Sequence, residues 1–269
     1  MMHGIKQFDL VTFRVVGACI LFWVTSLFTK KEHVPLKDKL TFIGAGIFGL
    51  VFNQCNFTLG LNLTSPINAS IVTTTLPIFS MILAAIILRE PITGMKAGGV
   101  LLGCSGAVIL ILTSASATSD KVGDIRGDFL CLCAQLSFAL YLTLFRNILA
   151  RYSVFTMNKW MFFWAAVMIT PFTISDVMEI EWSAVPLKSW LETGYVVCCG
   201  TYLSYILMMV AQRTLRPTVV SVYNYVQPIT AVVSSLILGI SVLQWSQVLA
   251  IALVFSGVWL VTKSRAKGK

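Results

Sequence analysis

The sequence predicts an all-α membrane protein built as an inverted repeat of helical bundles. Three observations carry this: apolar composition, basic residues confined to short gaps, and a self-match at a fixed offset. Of 269 residues, 57% are hydrophobic and 12% charged, and the mean hydropathy is +0.84. A soluble domain carries roughly 25% charged residues, so half that share cannot cover a globular surface. A soluble enzyme, a disordered chain and a fibrous protein are excluded as classes.

A spanning helix needs about 20 apolar residues. Nine segments qualify, near 8–28, 40–60, 66–88, 95–113, 129–149, 154–174, 191–211, 217–238 and 244–262. All are too long for barrel strands and too continuously apolar for the surface helices of a soluble domain. The net charge of +9 does not indicate nucleic acid, because no basic stripe interleaved with aromatics exists. With the C-terminus inside, the inner gaps hold 15 Lys and Arg against four (Lys6, Lys121, Arg126, Lys188) in the outer gaps. That asymmetry orients the chain as a multi-pass protein of the cytoplasmic membrane, its C-terminus cytoplasmic. The seven cysteines all lie in apolar runs and form no C-x-x-C pair, so neither a disulfide framework nor a metal site is expected.

Shifting the chain by 151 residues aligns Pro66 with Pro217, Ser70 with Ser221, Pro77 with Pro228, and Gly106 with Gly257. The chain has only eight prolines, so two coinciding pairs indicate an internal repeat. The expected division is 1–113 for the first repeat, 114–128 for a linker and 129–269 for the second. The fifth segment then lacks a partner, which a five-plus-five plan with its first helix missing would explain. An odd number of spans per repeat inserts the two copies in opposite directions, a recurrent transporter plan.

The candidate site follows from polar groups at membrane depth. Segment 66–88 carries Ser70, Thr73, Thr74 and Pro77 on one helical face, and segment 217–238 repeats it with Ser221, Asn224, Tyr225 and Pro228, plus Gln227. An unpaired amide in hydrocarbon costs several kcal/mol, so Asn224 and Gln227 should face protein or water. Thr73, Thr74, Asn224 and Gln227 are therefore expected in a polar cavity, with Asn53, Gln135, Trp164 and Tyr205 on its wall. Pro77 and Pro228 each remove a backbone donor and loosen their helices, making them candidate hinges. Arg14, the one charge well inside a segment, is a candidate gating or anion contact. No catalytic constellation is visible, so neither an enzyme nor a cofactor is expected.

The stretch "LNLTSPINASIVTTTLPIFSMILAAIILREPITGMKAGGVLLGCSGAVILIL" resembles the EamA domain of the drug/metabolite transporter superfamily. It shows small residues before Leu76-Pro77, then Glu90, then Gly98 and Gly106 in the next helix. "LRPTVVSVYNYVQPITAVVSSLILGISVLQWSQVLAIALVFSGVWLVT" is similar to a second copy, with Ser241 and Leu249 in place of the Glu and the first Gly. The resemblance implies a carrier for a small metabolite (an amino acid, a drug or a similar solute), acting as an exporter by alternating access. Its partners would be the solute and the lipid bilayer. A non-transporting scaffold or receptor is the alternative; it would not need paired polar faces.

Overall fold

The computed structural model describes residues 7–114, 124–149, 151–180, 182, 185–237 and 245–264. The expected linker 114–128 lies largely outside them, as do Lys6, Lys121, Ser241 and the C-terminal lysines. All regular structure among the described residues is helical. Seven stretches are long and apolar enough to cross a membrane: Phe8–Leu27, Leu36–Leu63, Asn68–Ile87, Gly94–Thr113, Ile125–Leu144, Leu187–Thr214 and Trp245–Lys263. The other two expected segments are also helical, as Val154–Met178 and as a series of shorter pieces over 217–237.

The chain forms two units, and each takes segments from both halves of the sequence. The first comprises Met1–Thr58 and Leu144–Thr214, the second Leu59–Thr143 and Leu215–Lys269. In the first, α1 (Gln7–Leu27) packs along α9 (Val154–Met178). Helix α2 (Leu36–Gly46) also packs on α9 and runs through a π-helical stretch, Ile47–Val51, into α3 (Phe52–Leu63). Helix α4 (Pro66–Thr73), α5 (Leu76–Ile87), α6 (Gly94–Ser114) and α7 (Ile125–Leu144) follow, and the single turn α8 (Arg146–Leu149) leads to α9. Helix α10 (Leu187–Tyr195) passes through a second π-helical stretch, Val196–Leu203, into α11 (Ser204–Thr214). The chain ends with α12 (Pro217–Val222), a 3-10 turn at Tyr223–Tyr225, α13 (Val226–Ile237) and α14 (Trp245–Lys263).

The second unit is organised by α6 against α14. A Cβ on Gly257 would lie 2.5 Å from the Gly103 nitrogen and 2.6 Å from the Gly99 carbonyl oxygen, and one on Gly106 would lie 2.7 Å from the Ala250 oxygen. Gly99 meets Gly257 while Gly106 meets Ala250, so the helices run antiparallel. Adding 151 to 99 and 106 returns 250 and 257, so equivalent stretches of the two repeats face each other. This is the contact that an inverted repeat generates across its own two-fold, and the repeat plan is consistent with it. Bringing backbones this close is what small residues do between membrane helices. Gly98, singled out in the sequence motif, has nothing within 4 Å of its would-be Cβ; its neighbour Gly99 makes the contact.

The α5–α6 turn holds an ion pair away from water. Arg89 takes a left-handed conformation (φ 54°), and the Glu90 amide donates back to the Ala84 carbonyl at 3.1 Å. That turn sends Glu90 toward Lys96, whose Nζ donates to Glu90 Oε2 at 3.1 Å and which is 1% exposed. The repeat counterpart of Lys96 is Gln247, also buried, so the second copy fills this place without charge. Removing one partner of a buried pair leaves an uncompensated charge, which costs about 3–5 kcal/mol. Lys96→Met is accordingly expected to lower the melting temperature in detergent strongly, and Lys96→Met with Glu90→Gln to recover at least half the loss. A single variant as stable as the double would rule the pair out as the cause.

Candidate functional site

The two π-helical stretches occupy equivalent positions, since Ile47–Val51 shifted by 151 residues falls at 198–202, inside Val196–Leu203. A π turn widens the helix, and such turns recur at functional sites. Here the wide turn is satisfied by hydroxyls reaching five residues back: Thr201 Oγ1 donates to the Val196 carbonyl at 3.0 Å, and Ser204 Oγ to that of Cys199 at 2.9 Å. Thr201, wholly buried, also accepts from Arg14 Nε at 3.0 Å. The guanidinium thus spends one donor on this hydroxyl.

Tyr205 lies one turn beyond Thr201. Its hydroxyl donates to the Gly49 carbonyl, in the other π stretch, at 3.3 Å. The Gln54 side chain reaches the same hydroxyl, and Arg14 is close enough to act on it electrostatically. Gln54 and Tyr205 are themselves 151 residues apart, so each touches its own repeat equivalent. Aromatic rings back this cluster: Phe162 meets Tyr205 edge-on at 4.9 Å and Phe22 meets Tyr202 at 4.6 Å. Arg14 and Tyr205, both expected from sequence, are therefore brought together, with Thr201 and Gln54 as their polar partners. Asn53, next to Gln54, is half-buried. Trp164 has its indole N–H buried with no hydrogen-bond partner among the described residues.

The second unit repeats the self-contact. Tyr225 and Thr74 are 151 residues apart, and the Tyr225 hydroxyl donates to the Thr74 carbonyl at 3.2 Å, shared with that of Val100 at 3.3 Å. Its ring fits only because Gly103 has no side chain, since a Cβ there would lie 2.5 Å from it. The two prolines act where the sequence places them. The helix breaks at Thr74–Thr75 just before Pro77, and tightens to 3-10 at Tyr223–Tyr225 just before Pro228. Each proline then sits in the first turn of its next helix, where its missing N–H costs nothing.

The threonine face is largely turned to this local work. Thr73, Thr74 and Thr75 each donate to a carbonyl three residues back, at 2.7, 2.6 and 2.7 Å, and Thr74 Oγ1 also lies 3.6 Å from Cys104 Sγ. Gln135 is buried on α7, Asn224 is half-buried in the 3-10 turn, and Gln227 is exposed. Thr201 and the π turns went unnoticed in the sequence. The repeat offset was the available signal, because it places Gly49 on Gly200 and Gln54 on Tyr205.

A polar network closes the end of the first unit that carries its basic gaps. Glu32 accepts from the Ser153 backbone amide at 2.9 Å, capping α9. Arg213 donates to the Tyr152 carbonyl at 2.7 Å, and the Tyr152 hydroxyl donates to Asp38. Burial alone would raise the Glu32 carboxyl, but hydrogen bonds from Thr156 and Ser153 and the charge of Arg213 hold it below its ordinary value. Tyr152 is pushed up to about 12, first by its hydrogen bond to Asp38. Asn158 and Gln212, buried on the packed helices α9 and α11, have side-chain amides with no hydrogen-bond partner among the described residues.

Comparison with known proteins agrees with this architecture. The EamA-like transporter family matches residues 1–112 and 125–263. The chain is 24% identical to an uncharacterized transporter of Archaeoglobus fulgidus over 256 residues, 95% of this chain and 88% of that one. It is 23% identical to the uncharacterized transporter YyaM of Bacillus subtilis over 244 residues, 90% and 79% of the two chains. A protein of known crystal structure, 15% identical, shares the fold with a TM-score of 0.81 over 97% of this chain and 90% of its own.

Proposed function

The chain belongs to the EamA-like transporter family, and on that premise we propose that it moves a small solute bearing an anionic or strongly accepting group, such as a carboxylate, across the cytoplasmic membrane. The observation that carries this is Arg14. A charge at membrane depth costs at least about 2.5 kcal/mol, yet here it is held by Thr201 beside Tyr205 rather than by a carboxylate. A guanidinium so placed is a ready anchor for an acceptor group. Transport runs by alternating access of the inverted repeats, and export is the direction that the motif resemblance implies. The 15-to-4 basic asymmetry puts the C-terminus in the cytoplasm, which reporter fusions at Lys269 check. A scaffold or receptor has no use for an intramembrane charge that is held by a neutral hydroxyl among repeat-equivalent polar groups.

Counterflow in proteoliposomes tests the proposal. A panel of labelled amino acids, carboxylates, neutral solutes and amines is offered to the purified protein. An acidic or zwitterionic solute is expected to exchange. Thr201→Val frees Arg14 from its positioning hydroxyl and should cut exchange about tenfold, equivalent to 1.4 kcal/mol. Asn224→Leu should also impair it, and Ser234→Ala, on an exposed helix position, should not. Normal exchange by both Thr201→Val and Asn224→Leu would sink the assignment.

A further inference from the structure

The first unit also contains a cavity of about 430 Å³ that holds none of the residues discussed above as solute contacts. We infer that it binds a lipophilic primary amine, with the apolar body inside and the ammonium on Asp176. Its walls are apolar, with Phe8 from α1, Phe52 from α3, and Met168 and Phe172 from α9. The volume falls in the range of small-molecule sites, which are mostly apolar with a few placed polar groups.

Two polar side chains line it, Thr173 and Asp176. Thr173 is engaged: its hydroxyl donates to the Ile169 carbonyl at 3.2 Å and accepts from Thr12 at 2.8 Å. The recognition group is therefore Asp176. It stands three and four residues beyond Thr173 and Phe172, on the same helical face. It also lies in the last turn of α9 (Val154–Met178), where the helix dipole adds negative potential. Carboxylate and helix end both favour a cation and repel an anion. Aromatic faces nearby add to the preference for an ammonium. Among the described residues that line the cavity none is basic, and Arg14, on the same helix as Phe8, donates to Thr201. This site does not depend on the Arg14 assignment.

The test is equilibrium binding of tritiated 4-phenylbutylamine to the protein in nanodiscs, with 4-phenylbutanol and 4-phenylbutyrate as competitors. Saturable binding is expected, with the amine competing at least tenfold better than the alcohol and the carboxylate not competing. Asp176→Asn should weaken binding at least tenfold and Phe172→Ala severalfold. Arg14→Leu should leave binding unchanged, which separates this site from the transport proposal. Cys55, also in the lining, gives a readout without substitution: the amine, and not the alcohol, should protect it from N-ethylmaleimide as read by peptide mass spectrometry. Equal competition by amine and alcohol, with Asp176→Asn or Cys55 protection showing no preference, would identify the cavity as an acyl-chain recess and overturn the proposal. So would the absence of saturable binding to folded protein.

Discussion

Gly257→Leu is expected to destabilise the protein strongly, by about 3 kcal/mol or more. The would-be Cβ sits 2.5–2.6 Å from backbone atoms of Gly103 and Gly99, and backbone cannot rotate aside as a flexible side chain can. The helices must separate, which strips contact from the core that Val100, Ala107, Leu110, Val254 and Val261 share. Overpacking typically costs about 1–3 kcal/mol and sometimes more; a branched side chain against two backbones belongs at the upper end. The measurement is thermal unfolding in detergent with the monodisperse fraction by size exclusion. Gly98→Leu is the control, since that position faces open space, and it should melt like the parent. Equal losses at both positions would show that helix propensity or expression, not the α6–α14 contact, sets the effect.

Arg14→Leu is expected to reduce solute exchange at least tenfold, or about 1.4 kcal/mol, with the melting temperature unchanged or raised. The second half of that statement separates function from structure. An intramembrane arginine carries a solvation cost, so removing one that serves only the solute relieves the fold. Removing one that serves the fold leaves the Thr201 hydroxyl without its donor and lowers the melting temperature. Arg14→Lys should restore part of the exchange and weaken solute affinity, because an ammonium keeps the charge without the planar fork. Full exchange by Arg14→Leu, or a drop in stability with no change in exchange per folded molecule, would return Arg14 to a packing role.

Residue chemistry that acts alone was legible in the chain. Apolar runs of membrane length, and prolines that break helices beside Thr74 and Tyr225, act through local rules of solvation and backbone geometry. The 151-residue offset was legible too, because the second repeat kept its prolines and Gly257. Pairing was not. Nothing in a linear pattern distinguishes Gly98 from Gly99, since one residue is a 100° rotation on a helix and only the neighbour's position says which face is covered. The spacing of Thr73 and Thr74 shows one polar face, but not that each hydroxyl donates to a carbonyl three residues back.

The membrane as solvent, the helical class and the repeat are all readable from residue order, because each is a sum over many residues that no single contact can reverse. Packing adds that the units draw on both halves, that Tyr205 and Tyr225 each meet their own repeat equivalents Gln54 and Thr74, and that Arg14 is received by Thr201. Those are encounters between residues up to 187 apart. Their existence depends on helix rotation and depth, which packing fixes and periodicity leaves free.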